Sequence, residues 1–173
     1  MSVLDSFIEE VNSYLPDIKT NLEHLAQLAQ AAQSTGDMDA IEEAYRRTHT
    51  IGGSASMMDF PGLAHIARGM EDILGDALEN IIVLDLPTIE LLQRSLARLD
   101  QLVVGIRGGI DENVLIAEDD ADYMQYRAAS ENPVATSTQD ATATTRQAEP
   151  ELPSHAPAQQ PDVFIPVAAS MPS

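Results

Sequence analysis

The residues best placed for chemistry lie between Arg46 and Ala55, where one histidine precedes two adjacent glycines in a helical pattern. Glycine is unfavourable in a helix interior, where each costs roughly 1 kcal/mol relative to alanine. Gly52 and Gly53, one turn after His49, therefore predict a helix surface left bare for a close neighbour. A neutral imidazole with one free ring nitrogen is a nucleophile, so we expect another molecule to approach His49.

A nucleophilic imidazole also needs an acceptor for the proton on its other ring nitrogen, because that hydrogen bond fixes the tautomer. If the helix after Pro61 returns antiparallel to the one that carries His49, Glu71 and Asp72 are the nearest carboxylates. Glu71 is favoured, since it directly follows the apolar position Met70. At about 100° per residue, His49 itself falls at the border between the apolar stripe and the polar face.

The remainder of the His49 face is polar, with Glu42, Arg46, Gly53 and Ser56 at helical spacing from the histidine. Two simpler explanations stay open at this point. A lone helical histidine is most often an ordinary surface residue, and paired glycines can merely admit a close crossing of another helix. Because two glycines follow His49 on the same helix, we nevertheless expect a partner to approach over Gly52, Gly53 and Ser56.

Apolar spacing predicts four amphipathic helices that would position these residues. Short connections between long helices make neighbours antiparallel, so the expected fold is an all-α, up-down four-helix bundle. Pro16 predicts either a kink in the first helix or a break into two. The predicted helices are 3–33 (or 3–14 and 16–33), Met38 to about Met58 with Asp37 as its cap, one from Pro61 and one from Pro87.

Composition divides the chain into three parts. Residues 1–110 form the bundle, with Ile81 to Leu84 expected as a loop anchored in the core. Residues 111–127 hold a weakly amphipathic, acidic stretch that predicts a loosely held helical extension. Residues 128–173 are rich in Pro, Ala and Thr and have too little apolar surface to offset chain entropy, so we expect a disordered linker.

The net charge of −19 argues against nucleic acid or an anionic membrane as a partner. No basic leader precedes an apolar stretch and no apolar run approaches about 20 residues, so a cytoplasmic protein is expected. Cysteine is absent, and neither Glu-x-x-His pairs nor an HExxH motif occur, which disfavours a metalloenzyme. We expect neither metal nor cofactor, and we interpret His24 and His65 as bundle-surface residues, with His65 a secondary candidate for the His49 site.

The stretch from His49 to Ala55, followed by Met57, Met58, Phe60, Leu63 and then Glu71 and Asp72, resembles the histidine phosphotransfer (HPt) domain. It is most similar to the version at the N-terminus of chemotaxis-type histidine kinases. The resemblance covers roughly residues 3–105 and implies a four-helix bundle. It also implies a phosphorelay carrier that takes a phosphoryl group from a histidine kinase catalytic domain and passes it to an aspartate of a response-regulator receiver domain.

By this resemblance His49 is the phosphoryl acceptor, Glu71 its hydrogen-bond partner and Gly53 the position over which a partner approaches. The family usually has lysine immediately before that glycine, where this chain has Gly52. Loss of that cation would weaken stabilisation of the transferring group, leaving Arg46 or Arg68 as substitutes. A degenerate module that docks a receiver or kinase without carrying phosphate is the alternative. The chain lacks a nucleotide-binding motif, so we expect a carrier and not an enzyme.

Overall fold

A computed structural model describes residues 2–31 and 37–131. These residues form five α-helices and, within the two ranges, no strand, which confirms the predicted all-α class. The helices are α1 (Val3–Gln30), α2 (Met38–Met57), α3 (Pro61–Leu78), α4 (Leu86–Gly105) and α5 (Glu112–Glu131).

The first four helices form the predicted bundle. Each packs against its neighbour in the chain, and α1 also contacts α4, so the four helices close around one core. Because the connections are short, consecutive helices reverse direction. The largest fully buried side chains come from all four helices: Ile18, Leu22, Ile51, Leu63, Ile66, Met70, Leu74, Ile89, Leu91, Leu92, Leu99 and Leu102.

α1 continues through Pro16 as one helix, so of the two predicted alternatives the break into two helices is wrong. Proline removes a helical hydrogen bond, but α1 buries apolar side chains on both sides of it, including Leu15 and Ile18. A Ser2 capping box closes the start of the helix. α1 ends at Gln30, and residues 32 and 33 of the predicted first helix lie outside the described residues.

Capping residues set the starts of α2 and α4. The Asp37 side chain accepts hydrogen bonds from the backbone N–H groups of Asp39 and Ala40. Asp85 accepts one from the Thr88 backbone N–H. In the loop before α4, Ile82 and Leu84 pack against the core, as predicted, whereas Ile81 and Val83 are exposed.

α5 is longer and more firmly docked than the sequence indicated. It extends to Glu131, four residues beyond the predicted limit of 127, and packs on α3 and α4. The carboxylate of Glu112 accepts a hydrogen bond from the backbone N–H of Gly62, at the start of α3. α3 has no side-chain cap of its own at Phe60, so α5 supplies one. Residues 132–173, the rest of the predicted disordered linker, lie outside the described residues.

Charged side chains make much of the contact between α5 and α4. Asp119 accepts hydrogen bonds from Ser95 at 2.7 Å and Arg98 at 3.0 Å, and Asp122 accepts from Arg94 and Arg98. Burial raises the pKa of Asp119, and Ser95 and Arg98 oppose that effect. The sequence pattern underestimated this docking because many of the contacts are polar, and the core-packed side chains Leu115, Tyr123 and Tyr126 leave little apolar periodicity in α5.

Candidate functional site: the His49 and Glu71 pair

The α2–α3 hairpin brings His49 and Glu71 together across 22 positions of sequence. Asp59 closes the turn in a left-handed conformation with φ of 62°, and Pro61 starts α3 at a favoured first helical position. The two helices then run side by side, and His49 Nδ1 lies 2.8 Å from Glu71 Oε1. The carboxylate favoured from sequence is the one that reaches the imidazole.

This hydrogen bond determines what the imidazole can do. An ionised carboxylate only accepts hydrogen bonds, so in the neutral imidazole Nδ1 carries the hydrogen and donates it, and Nε2 keeps its lone pair. The His49 side chain is 65% exposed whereas that of Glu71 is 23% exposed. The hydrogen-bonded nitrogen therefore points toward the bundle, and an oriented nucleophile is presented to solvent.

Tyr45 adds a second constraint on the imidazole that sequence reasoning missed. Its ring lies nearly parallel to the His49 ring, with an interplanar angle of 15° and centroids 6.2 Å apart. Gly75 on α3 lies beside the Tyr45 ring, where a Cβ would be in ordinary van der Waals contact at 3.5 Å. The four-residue spacing between Tyr45 and His49 could have indicated this contact, because residues four apart on a helix are neighbours. The apolar pattern instead suggested that Tyr45 is only a core residue.

The two glycines after His49 have different roles. Gly53 is exposed, and a Cβ built there would have no atom within 4 Å. Gly52 is buried in the α2–α3 contact, where a Cβ would lie 3.4 Å from the Ala67 Cβ. Gly52 is therefore part of the contact between α2 and α3 and not of an approach surface, which corrects the sequence expectation. Ser56 is exposed and donates a hydrogen bond to the Gly52 carbonyl.

The two candidate cations also differ. Arg46 pairs with Glu42 on its own helix at 2.5 Å. Arg68 is exposed on α3, one turn before Glu71, and none of the carboxylates in the described ranges lies within 4.0 Å of it. Of the two predicted cations, therefore, only Arg68 is without a carboxylate partner among the described residues.

The other described histidines have structural partners. His24 Nε2 lies 3.0 Å from Asp37, which caps α2, and His65 Nε2 lies 2.8 Å from Asp120 of α5. His65 therefore contacts α5 and not the His49 site. Within residues 2–31 and 37–131, no cluster of three or more His, Asp or Glu side chains is arranged to hold a metal ion.

Comparison with known proteins identifies this helical bundle with an oriented histidine as a phosphotransfer domain. The family model of the Hpt domain matches residues 2–102, and the chain therefore belongs to the Hpt domain family. The chain is also 30% identical over 112 residues to the sensor histidine kinase CheAY of Helicobacter pylori. That alignment covers 64% of this chain but 14% of the kinase. The chain thus carries a phosphotransfer module of two-component signalling.

None of the helices in the described residues has the length and apolar character required to cross a lipid bilayer.

Proposed function

We propose that His49 is a phosphoryl acceptor that takes its phosphoryl group from a histidine kinase catalytic domain and passes it to an aspartate of a receiver domain. The observation that supports this most directly is the 2.8 Å contact between His49 Nδ1 and Glu71, which leaves Nε2 free on an exposed ring. Membership of the Hpt family supports the same assignment.

In the first transfer, the Nε2 lone pair attacks the γ-phosphorus of ATP held by the kinase. The Nε2–P bond forms, and the bond from phosphorus to the β,γ-bridging oxygen breaks, so that ADP leaves with the electron pair. The Nδ1 proton stays on the ring, which becomes positively charged. Glu71 stabilises that charge, because a carboxylate hydrogen-bonded to an imidazolium is favoured over one bonded to neutral imidazole.

In the second transfer, a carboxylate oxygen of the receiver attacks the same phosphorus. The Nε2–P bond breaks and its electron pair returns to the imidazole, which regains its neutral form. The acidic pocket and Mg²⁺ for this step belong to the receiver. The carrier supplies an oriented group on a rigid helix, and the open surface over Gly53 admits the receiver, with Ser56 at its edge.

The cellular setting follows from the same assignment. The matched relative is a sensor histidine kinase about seven times longer than the matched region, so we propose that this domain serves a larger chemotaxis-type kinase. Because its kinase and receiver partners would use ATP and Mg²⁺, we propose that the domain acts in the cytoplasm. We propose that the Pro-rich C-terminal stretch of residues 128–173 acts as a tether that keeps the domain near its partners.

The test is phosphorylation of the full 173-residue chain by a chemotaxis-type kinase catalytic domain with radiolabelled ATP. Acid-labile, base-stable label is expected on the wild type, absent from His49→Gln and retained in His65→Gln. Label retained in His49→Gln would refute the acceptor assignment. A folded wild type that takes no label would favour the degenerate docking module.

A further inference from the structure

Arg68 differs from most basic residues of the described ranges in having no carboxylate partner there. Of the basic side chains within residues 2–31 and 37–131, only Arg68 and Arg127 have no carboxylate oxygen of these ranges within 4.0 Å. With 28 acidic and 9 basic residues in the chain, an unpaired exposed arginine is unexpected. Its guanidinium is available to an anion from outside.

The register of α2 and α3 places Arg68 beside the His49 site. His49 contacts Glu71, and Gly52 faces Ala67, the residue before Arg68. Arg68 precedes Glu71 by three residues, so the two share a face of α3 and are separated by roughly 4.5 Å along the helix axis. An arginine side chain spans that distance. Arg68 thus lies toward the Gly53 side of the imidazole, from which a partner would approach.

Arg46 and Arg127 are less suitable than Arg68 for binding an anion beside His49. Arg46 pairs with Glu42, and the surface around it is lined by Asp39 and Glu43, so its charge is already compensated. Arg127 lies on α5, which makes no contact with α2 in the described ranges.

We propose that the Arg68 guanidinium binds the non-bridging oxygens of the phosphoryl group as that group moves to and from His49 Nε2. This inference rests on the proposed function. A guanidinium offers two parallel N–H donors to two phosphoryl oxygens, and its positive charge opposes the negative charge carried by the transferring group. Arg68 thereby acts directly on the transferred group, whereas Glu71 acts on the ring.

The experiment uses phosphoramidate, a small phosphoryl donor that needs no protein docking, and follows phosphorylation of the full chain by phosphorus NMR. Arg68→Gln is compared with Arg127→Gln, a matched loss of one unpaired charge, and with Arg68→Lys. Arg68→Gln is expected to slow phosphorylation because it removes the positive charge that binds the phosphoryl oxygens. The expected loss is limited to about tenfold, because the guanidinium is exposed and its charge is partly screened by salt. Arg127→Gln should match the wild type, and Arg68→Lys should recover part of the rate. Circular dichroism checks that every variant stays helical.

The salt dependence of the phosphorylation rate distinguishes an electrostatic role of Arg68 from a purely structural one. The advantage of the wild type over Arg68→Gln should shrink as ionic strength rises. Equal rates for Arg68→Gln and Arg127→Gln, or no recovery with lysine, would overturn the assignment, as would a larger loss in Arg46→Gln. A wild type that takes no phosphoryl group from either phosphoramidate or kinase would instead refute the proposed function.

Discussion

Replacing Gly53 with alanine should separate the stability of the domain from its activity. Gly53 lies inside α2, and a Cβ there would have no atom within 4 Å. The substitution therefore gains helix propensity without a steric cost, and the free energy of unfolding should rise by about 1 kcal/mol. For a folded unit of this size, that gain corresponds to a Tm increase of about 3 to 6 °C.

The same methyl group should impair transfer between proteins. It occupies the surface that lies one turn from His49, so a docked kinase or receiver must move away from the imidazole. A displacement of about 1 Å of reacting groups can cost on the order of a hundredfold in rate, and we expect at least a tenfold loss. Phosphorylation by phosphoramidate should be unchanged, because a small donor does not need that surface.

The assays are thermal unfolding and the initial rate of label transfer from a kinase domain, with Gly52→Ala as the control. Gly52 is adjacent in sequence but buried against Ala67, so its substitution should affect packing and leave docking unchanged. A Gly53→Ala protein that is more stable and transfers at the wild-type rate would refute the assigned role of Gly53. A less stable protein would show that the space around Gly53 is not open.

Three further outcomes are expected. Glu71→Ala should slow phosphorylation of His49 by about tenfold or more in initial-rate measurements, because the charged ring loses its carboxylate; an unchanged rate would remove Glu71 from the mechanism. Arg98→Ala should cost about 3 kcal/mol in urea denaturation, since it leaves Asp119 buried without its charge partner, and a loss below about 1 kcal/mol would contradict this account of α5 docking. The hydrogen bond from the Ala40 backbone, followed by that from His24, holds the pKa of Asp37 below its ordinary value. Asp37 therefore stabilises the fold above its unfolded pKa of about 3.9, and this contribution is lost as the pH falls through the lower folded value. Asp37→Asn keeps the capping oxygen but cannot titrate, so its stability should fall less than that of the wild type between about pH 5 and pH 2, and parallel pH profiles would contradict the assignment.

The four-helix core could be predicted from sequence because its signal is local and periodic. Apolar residues at steps of three and four marked the buried faces of the four bundle helices, and Asp37, Pro61 and Pro87 marked helix starts to within one residue. The docking of α5 could not be predicted in this way. Many of its contacts are hydrogen bonds and ion pairs between residues distant in sequence, and its few core-packed side chains, Leu115, Tyr123 and Tyr126, do not form a clear apolar stripe.

The candidate site was predictable where chemistry restricts the choice of residue. His49 required a carboxylate at a fixed position in the hairpin, and Glu71 satisfied that requirement. The difference between Gly52 and Gly53 was beyond sequence reasoning, because a rotation of about 100° separates burial from exposure and only the crossing of α2 and α3 determines which glycine faces inward. The contrast between Arg46 and Arg68 likewise depends on side-chain pairing in three dimensions.

The cap that Glu112 places on α3 has a consequence for how this domain can be excised or recombined. The family match ends at residue 102, yet α3, which carries Glu71, receives its N-terminal hydrogen-bond acceptor from residue 112. A segment cut at the end of the family match would therefore lack this hydrogen bond and the other contacts of α5. A chimera joined at residue 110 would keep His49 and Glu71 but remove the support for the helix that aligns them. A fusion point after residue 131 would preserve the complete unit.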